Sequence, residues 1–203
     1  MADNWTWSEG SKMKVCFVTT GATAPFTELI RAVLQRSAID ALRDAAYTHL
    51  LVQYGVAKDV YDTFAIDARS HIQTQPEKGE LIIEGMSFRP EGLMEQFRLV
   101  QQSNGLAISH AGSGSILEAL RYGVPLIVVP NTALLDNHQE DLAVAMERSN
   151  YLIRGDVNDL APAIRKAEDF RRKMAQFPPI TSGKHRETKS FAAIMDETLG
   201  VLE

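Results

Sequence analysis

Short apolar runs recur along the chain, and polar loops or glycines separate them. Continuous runs rich in β-branched residues are typical of strands buried on both faces of a parallel sheet. Residues 14–20 (KVCFVTT) show this pattern, and Gly21 ends the run. Residues 49–53 (HLLVQ) are a second apolar run, followed by Gly55. The pattern predicts five strands, at residues 14–20, 49–53, 81–84, 106–109 and 125–129.

The segments between these strands show helical periodicity. Behind Pro25, apolar residues recur at i, i+3 and i+4 spacing through residues 26–42, which predicts one helix. Residues 56–75 are too mixed to assign. The alternation of strand and helix predicts an α/β fold with a Rossmann-like, doubly wound, mainly parallel sheet that binds its ligand at the carboxyl ends of the strands. Further helices are predicted at 90–102, 112–122, 136–149 and 156–176, the last with Asp156 as its N-cap.

The two ends of the chain differ from this central region. Residues 1–12 lack an apolar signal core and are expected to form a flexible extension before a domain at 13–178. The segment 177–183 (FPPITSG) should stop the preceding helix. Residues 179–203 then include an amphipathic helix, which either packs on its own sheet or contributes to a partner surface.

Composition and charge narrow the function. The chain has 203 residues, 45% of them hydrophobic, and a net charge of -5, as expected of an ordinary globular protein. Nucleic acid is an unexpected partner because Asp and Glu outnumber Lys and Arg by 26 to 21. The single cysteine, Cys16, excludes an intrachain disulfide and favours a reducing compartment. The apolar stretches are shorter than a membrane-spanning helix requires, so we expect any membrane role to depend on a partner.

A glycine-rich turn joins the fourth predicted strand to the next helix. Residues 109–115 read SHAGSGS, and the two glycines would let an anion approach the free N–H groups at the helix start. This pattern suits a diphosphate, although an ordinary tight turn explains it equally well. No GxGxxG motif follows the first strand and no GxxxxGK[ST] motif is present, which disfavours dinucleotide oxidoreductases and P-loop nucleotidases.

Glu118 has two interpretations. It follows Ser115 by three residues, so the pair matches a capping box that holds the helix start. A carboxylate close to a diphosphate is electrostatically unfavourable, and a hydrogen bond from a ribose hydroxyl would give it a reason to be there. Both interpretations remain open from the sequence.

A polar segment follows the fifth predicted strand. Residues 131–142 (NTALLDNHQEDL) collect amides, an imidazole and carboxylates, which suit sugar hydroxyls because amides and imidazoles both donate and accept hydrogen bonds. Solvated polarity at a helix start is the simpler interpretation. His110 and His138 match no metal-ligand spacing, so no metal is expected.

These motifs together resemble the donor half of glycosyltransferase family 28. The resemblance lies in SHAGSGSILEALRYGVPLIVVPN followed by DNHQEDLA, and extends to VTTGATAPF, LLVQYG and EGMSF. It implies a GT-B architecture in which this chain supplies only the half that binds the nucleotide sugar. A membrane-anchored glycosyltransferase subunit would supply the acceptor half, and the two would form a heterodimer.

The resemblance also implies residue roles. The diphosphate would lie on the turn, Glu118 would bind the ribose, and His110 is a candidate general base by its pKa. The first loop reads GATAPF, with Ala22, Ala24 and Pro25 where more hydrogen-bond donors are expected, which leaves its catalytic contribution open. The other implied contacts are Gly112, Ser113, Gly114 and Ser115 with the diphosphate, Ser87 and Phe88 with the uracil, Asn137, His138 and Gln139 with the sugar, and Gly21 and Thr23 with the cleft near the phosphates.

The implied reaction is an inverting transfer of N-acetylglucosamine from UDP-N-acetylglucosamine to N-acetylglucosamine diphosphodolichol, without a cofactor or tightly bound metal. It would occur in the cytoplasm and at the cytosolic face of the endoplasmic reticulum membrane, through the partner. Two alternatives remain: a non-catalytic nucleotide-sugar-binding subunit, and a UDP-N-acetylglucosamine 2-epimerase. Length argues against the epimerase, which normally needs both GT-B halves in one chain.

Overall fold

The computed structural model describes residue 8 and residues 10–21, 25–131 and 138–176, with the side chains of His138 and Gln139 left out. Most of the predicted N-terminal extension, Thr23, Asn137 and the predicted helix within 179–203 therefore lie outside the described residues. The domain boundaries expected at residues 13 and 178 stay predictions.

The described residues form a six-stranded sheet in which every strand pair is parallel. The strand order is β3-β2-β1-β4-β5-β6, the order of a doubly wound Rossmann-like sheet, so the predicted fold class is confirmed. The strands are β1 (Val15–Thr19), β2 (His49–Gln53), β3 (Ile82–Met86), β4 (Leu106–His110), β5 (Leu126–Val129) and β6 (Ile153–Arg154).

Helices cover both faces of this sheet. Those on the first face pack against side chains such as Cys16 and Val18, and those on the second against Val15 and Phe17. Because alternate residues of β1 point into two separate cores, the strand is apolar throughout, as the sequence pattern predicted. The first face carries α1 (Thr27–Leu34), α2 (Arg36–Asp44), α3 (Lys58–Gln73) and α7 (Ala161–Met174), and the second carries α4 (Met94–Gln102), α5 (Ser113–Arg121) and α6 (His138–Arg148).

Three helical segments differ from what the sequence analysis gave for them. The single helix expected at 26–42 is two, because Gln35 takes an extended conformation (φ −65°, ψ 149°) between α1 and α2. The unassigned segment 56–75 contains α3, whose buried residues Tyr61, Ala65 and Ala68 give a weak apolar signal because two of them are alanines. The helix expected from residue 90 begins at Met94, after Gly92 turns the chain with a φ of 95°.

The prediction that Asp156 is the N-cap of the last described helix is also wrong. Its carboxylate accepts a hydrogen bond from the backbone N–H of Asn158 at 2.8 Å, inside a turn that precedes α7. Helix α7 starts at Ala161, whose N–H is bound by the carboxylate of Asp159 at 3.1 Å. The strand β6 was not predicted, because two residues are too few to give a periodic pattern.

At the amino ends of the strands, polar side chains tie the elements together. The carboxylate of Glu168 on α7 accepts a hydrogen bond from the Tyr47 hydroxyl at 2.9 Å and lies 3.0 Å from Lys14 Nζ. Arg171 donates to the carbonyl of Gly105 at 2.6 Å. These contacts fix the end of α7 beneath β1, β2 and β4.

A buried arginine, Arg43, makes a second tie at the same edge. Its Nε donates to the carbonyl of Gly79 at 3.0 Å, and its Nη2 donates to the carbonyl of Gln75 at 2.5 Å. Arg43 therefore secures the turn that leads from α3 into β3. Within the described helices, none is both long and apolar enough to cross a membrane.

Candidate functional site

The sheet places a crevice between the carboxyl ends of β1 and β4. The strand order reverses at this pair, so the chain leaves β1 towards the first face and leaves β4 towards the second. Open α/β sheets bind their ligands at such a switch point. The residues that border it are Gly21, just after β1, and His110, the last residue of β4.

The imidazole of His110 packs between two glycines. A Cβ on Gly21 would lie 2.5 Å from His110 Cε1 and 2.7 Å from Nε2, and a Cβ on Gly112 would overlap Nε2. Gly21 also has a φ of 82°, which disfavours any residue with a side chain. The ring thus joins the first loop to the glycine-rich turn, and both glycines are needed because the ring is so close.

Hydrogen bonding favours one tautomer of His110. The hydroxyl of Ser109 donates a hydrogen bond to the His110 carbonyl oxygen at 2.8 Å, so its oxygen is left to accept a hydrogen bond from Nδ1–H, 3.4 Å away. A proton on Nδ1 leaves Nε2 as an acceptor. Burial lowers the pKa of the ring below its ordinary value of 6.5, so His110 is neutral at pH 7. A neutral imidazole whose Nε2 carries no proton can act as a base.

The start of α5 presents to the crevice backbone donors that have no partner within the helix. Its N-cap is Gly112, no side chain caps it, and the first helical hydrogen bond runs from the N–H of Ile116 to the carbonyl of Gly112 at 3.2 Å. The N–H groups of Ser113, Gly114 and Ser115 therefore have no partner within the helix. Among the described residues, a Cβ on Gly114 would meet nothing within 4 Å, so the turn is open on this side. Free N–H groups at an open helix start favour an anion.

The capping-box interpretation of Glu118 is wrong. Ser115 is the third residue of α5, not its N-cap, so it cannot pair with Glu118 in that motif. One carboxylate oxygen, Oε1, lies 3.9 Å from Arg121. The other, Oε2, is buried without a hydrogen-bond partner among the residues that the structure describes. A buried carboxylate oxygen in this state favours a donor from a bound molecule, such as a hydroxyl.

A row of buried polar side chains lies beneath the crevice, and sequence reasoning missed it. Gln53, Thr19 and Ser109 are in register on neighbouring strands β2, β1 and β4. All three are at most 1% exposed. A polar residue near the end of each apolar strand was the available signal.

Sequence comparison assigns the family. The model of the glycosyltransferase family 28 C-terminal domain matches residues 15–196, nearly the whole chain. The chain belongs to glycosyltransferase family 28. This confirms the resemblance found in the motifs, and the structure agrees with it, since a C-terminal family 28 domain accounts for the Rossmann-like sheet.

Comparison with individual proteins gives the same family assignment. The UDP-N-acetylglucosamine transferase subunit ALG13 of Eremothecium gossypii is 37% identical over 182 residues, which cover 84% of this chain and 88% of that protein. An NMR solution structure of ALG13 superposes with a TM-score of 0.58 at 28% identity, covering 77% and 86% of the two chains. MurG of Acinetobacter baumannii shares the fold at 16% identity, with a TM-score of 0.54 and coverage of 81% and 45%.

The remaining predicted contacts of the family 28 site lie further out. Ser87 and Phe88 are exposed and follow β3, so they share the carboxyl edge but belong to the outer strand, with β2 between them and β1. The backbone of His138 and Gln139 opens α6, which follows β5 beside β4. The structure thus brings together Gly21, His110, the turn 112–115 and Glu118, while the uracil and sugar contacts stay predictions. Nowhere in the described ranges do three potential metal ligands cluster.

Proposed function

We propose that this chain is the catalytic subunit that transfers N-acetylglucosamine from UDP-N-acetylglucosamine to N-acetylglucosamine diphosphodolichol, with inversion at the anomeric carbon. The single observation that carries the proposal is the arrangement on α5: N–H groups at its first turn without a partner in the helix, followed by a buried oxygen of Glu118 that has no partner among the described residues. A uridine diphosphate needs both features. The relationship to UDP-N-acetylglucosamine transferase subunits supports the donor sugar.

The diphosphate would occupy the open space before Gly114. The N–H groups at the helix start and the helix dipole would stabilise the negative charge that builds on the leaving UDP. Glu118 lies one turn further along the same helix, within the reach of a ribose attached to that diphosphate, and would accept a hydrogen bond from a ribose hydroxyl. No metal is required for either contact.

We assign the role of general base to His110. The acceptor hydroxyl would attack the anomeric carbon, the bond from that carbon to the UDP oxygen would break, and Nε2 would take the hydroxyl proton. Because burial lowers the pKa of His110, the ring is ready to accept a proton at pH 7. The acid limb of kcat/KM should consequently lie below pH 6.5, the ordinary value.

The lipid-linked acceptor would be held by a membrane-anchored partner subunit. Two findings support a partner: residues 15–196 match the C-terminal half of a GT-B enzyme, and the relatives are named as subunits of a transferase. The pair would work at the cytosolic face of the endoplasmic reticulum membrane. The uracil, near Ser87 and Phe88, and the sugar, near residues 137–139, would extend along the carboxyl edge on either side of the diphosphate.

Transfer of radiolabelled N-acetylglucosamine in microsomes depleted of their own small subunit tests the proposal. We expect the full chain to restore transfer to N-acetylglucosamine diphosphodolichol, and to do so only when the membrane-bound partner is present. Full activity of the isolated chain would contradict the two-subunit proposal.

The same assay separates the alternatives. A chain that binds UDP but restores no transfer would be a non-catalytic binding subunit, and the close packing of His110 between two glycines would then be purely structural. Formation of the manno epimer, or release of UDP without an acceptor, would indicate an epimerase.

A further inference from the structure

The polar row of Gln53, Thr19 and Ser109 is unusual for its position. These three side chains lie on the face of the sheet whose other strand residues, such as Phe17 and Ala107, form an apolar core. Burying polar groups there is unfavourable unless they are hydrogen-bonded. Gln53 Nε2 has no partner among the described residues, and the hydrogen bonds that the row does make indicate its role.

Thr19 links β2 to the first loop. Its hydroxyl donates to Gln53 Oε1 at 2.5 Å, and its oxygen accepts the backbone N–H of Gly21 at 3.3 Å. A hydroxyl has one proton, so giving it to Gln53 turns the oxygen lone pairs towards Gly21. Next to it, Thr20 donates to the Gln53 carbonyl at 3.1 Å, which fixes the same end of β1 to β2.

Gly21 is also the residue that lies against the His110 ring. At the other end of the row, the oxygen of Ser109 lies 3.4 Å from His110 Nδ1. The row therefore reaches the imidazole from two sides, through the Gly21 backbone and through Ser109.

We propose that Thr19 and Gln53 are positioning residues that hold Gly21 against the His110 ring and so fix the orientation of that ring. The geometric part concerns the isolated chain, and the effect on transfer rests on the proposed function. Neither residue touches the crevice directly in this account, since both act through Gly21.

The test is an NMR titration of the His110 ring in the full chain, with the signal assigned from a His110→Gln variant. Thr19→Val keeps the size of the side chain and removes the hydroxyl. We expect it to loosen the ring, admit water and raise the pKa of His110 towards 6.5, the ordinary value. Gln53→Leu should act in the same direction, and Thr19→Ser, which keeps the hydroxyl, should restore the wild-type titration.

Ser103→Ala is the matched control. Ser103 is another buried hydroxyl that contacts β1, but at its opposite end, where it accepts the N–H of Val15 at 3.2 Å. It should lower the melting temperature like Thr19→Val and leave the His110 titration unchanged. An unchanged titration in folded Thr19→Val and Gln53→Leu would overturn the proposal, as would an equal shift in Ser103→Ala.

Transfer activity with the partner subunit is the second readout. Thr19→Val should lower kcat about tenfold with little change in the KM of the acceptor, since displacing a reacting group by a fraction of an ångström has effects of this order. A shifted titration together with a wild-type chain that restores no transfer would remove the proposed function and leave the positioning role intact. A shifted titration with unchanged kcat would instead overturn the part of the proposal that concerns transfer.

Discussion

Polar groups at the two edges of the sheet differ in how far the protein itself satisfies their hydrogen bonds. At the amino edge, Glu168 is surrounded by Tyr47, Lys14 and Arg171. The contacts with Tyr47 and Lys14 join α7 to the chain before β2 and β1, and Arg171 lies on the same helix as Glu168. At the carboxyl edge, Glu118 keeps a buried oxygen without a partner among the described residues, and the first N–H groups of α5 have no partner in their helix. Unsatisfied groups lower stability, so a buried carboxylate oxygen of this kind, on the same helix as a set of free backbone donors, indicates that a ligand completes them.

The difference is one of degree. At the amino edge, Arg43 Nη1 and Arg171 Nε also lack partners among the described residues, but Nε and Nη2 of Arg43 and Nη2 of Arg171 donate to backbone carbonyls. A side chain with several satisfied groups is held by the protein itself. Mutations at the amino edge should therefore change stability, and mutations at the carboxyl edge should change binding and transfer.

The largest effect is expected from Gly112→Val. The new side chain would overlap the His110 ring and close the approach to the start of α5. UDP binding, measured by calorimetry, should be lost, and overpacking should lower the free energy of unfolding by roughly 1–3 kcal/mol. Unchanged UDP affinity would show that the anion site lies elsewhere.

Glu118→Gln should separate function from stability. A hydrogen bond to a charged group contributes roughly 1.5–3 kcal/mol, so kcat/KM for the donor should fall about ten- to a hundredfold. The melting temperature should stay unchanged, because the Glu118 carboxylate makes only one long contact, with Arg121 at 3.9 Å. Glu95→Gln is the control, since Glu95 lies on the exposed surface of α4. A fall in melting temperature with unchanged kcat/KM would make Glu118 structural.

Glu168→Gln tests the amino edge. It keeps the shape of the side chain but weakens contacts with Lys14, Arg171 and Tyr47, so we expect a loss of roughly 1 kcal/mol in the free energy of unfolding, measured in urea. UDP affinity at 25 °C should stay unchanged. Weaker UDP binding without a loss of stability would contradict the assignment of stability to the amino edge and of binding to the carboxyl edge.

The same variant predicts a pH dependence. Burial raises the pKa of Glu168, but the hydrogen bond from Lys14 and the charge of Arg171 lower it more, so the folded-state pKa lies below its ordinary value of 4.5. A depressed carboxylate pKa stabilises the fold above the ordinary value and loses this effect as the pH falls through the folded-state pKa. The stability difference between wild type and Glu168→Gln should therefore be constant above about pH 5 and shrink below pH 4.5. A constant difference down to pH 3 would contradict it.

Gly114→Ala should have the smallest effect. It should raise the free energy of unfolding and lower the affinity for UDP. Its Cβ would meet nothing within 4 Å, and alanine is favoured over glycine in a helix by roughly 0.5–1 kcal/mol, so the free energy of unfolding should rise. If the diphosphate lies before this turn, the added methyl group should also weaken UDP binding. A stabilised variant with unchanged UDP affinity would move the diphosphate away from Gly114.

The sequence predicted the sheet well because buried parallel strands leave a direct pattern. Five of the six strands were found, and β2 (His49–Gln53) has the predicted bounds. Helix starts were predicted less well, since Asp156 and Ser115 both fit cap motifs without being caps. Such motifs are local, whereas the position of a helix start also depends on how the helix packs.

The candidate site was predictable only in part. Gly112 and His110 stand out because a glycine-rich turn follows a strand, but the reason for Gly112, its contact with the imidazole, is visible only in three dimensions. Thr19 and Gln53 are 34 positions apart in the chain, and only strand pairing brings them together. Their register could not be read from either strand alone.

The most direct test of the donor site is an NMR titration of the full chain with UDP. We expect the largest backbone shifts at Gly21, His110, Ser113, Gly114 and Glu118, and none at Glu168, Arg43 or Gly105. That result would place the nucleotide at the edge of the sheet with unsatisfied polar groups. Shifts centred on the amino edge, or no shifts at a UDP concentration that supports transfer, would contradict the account.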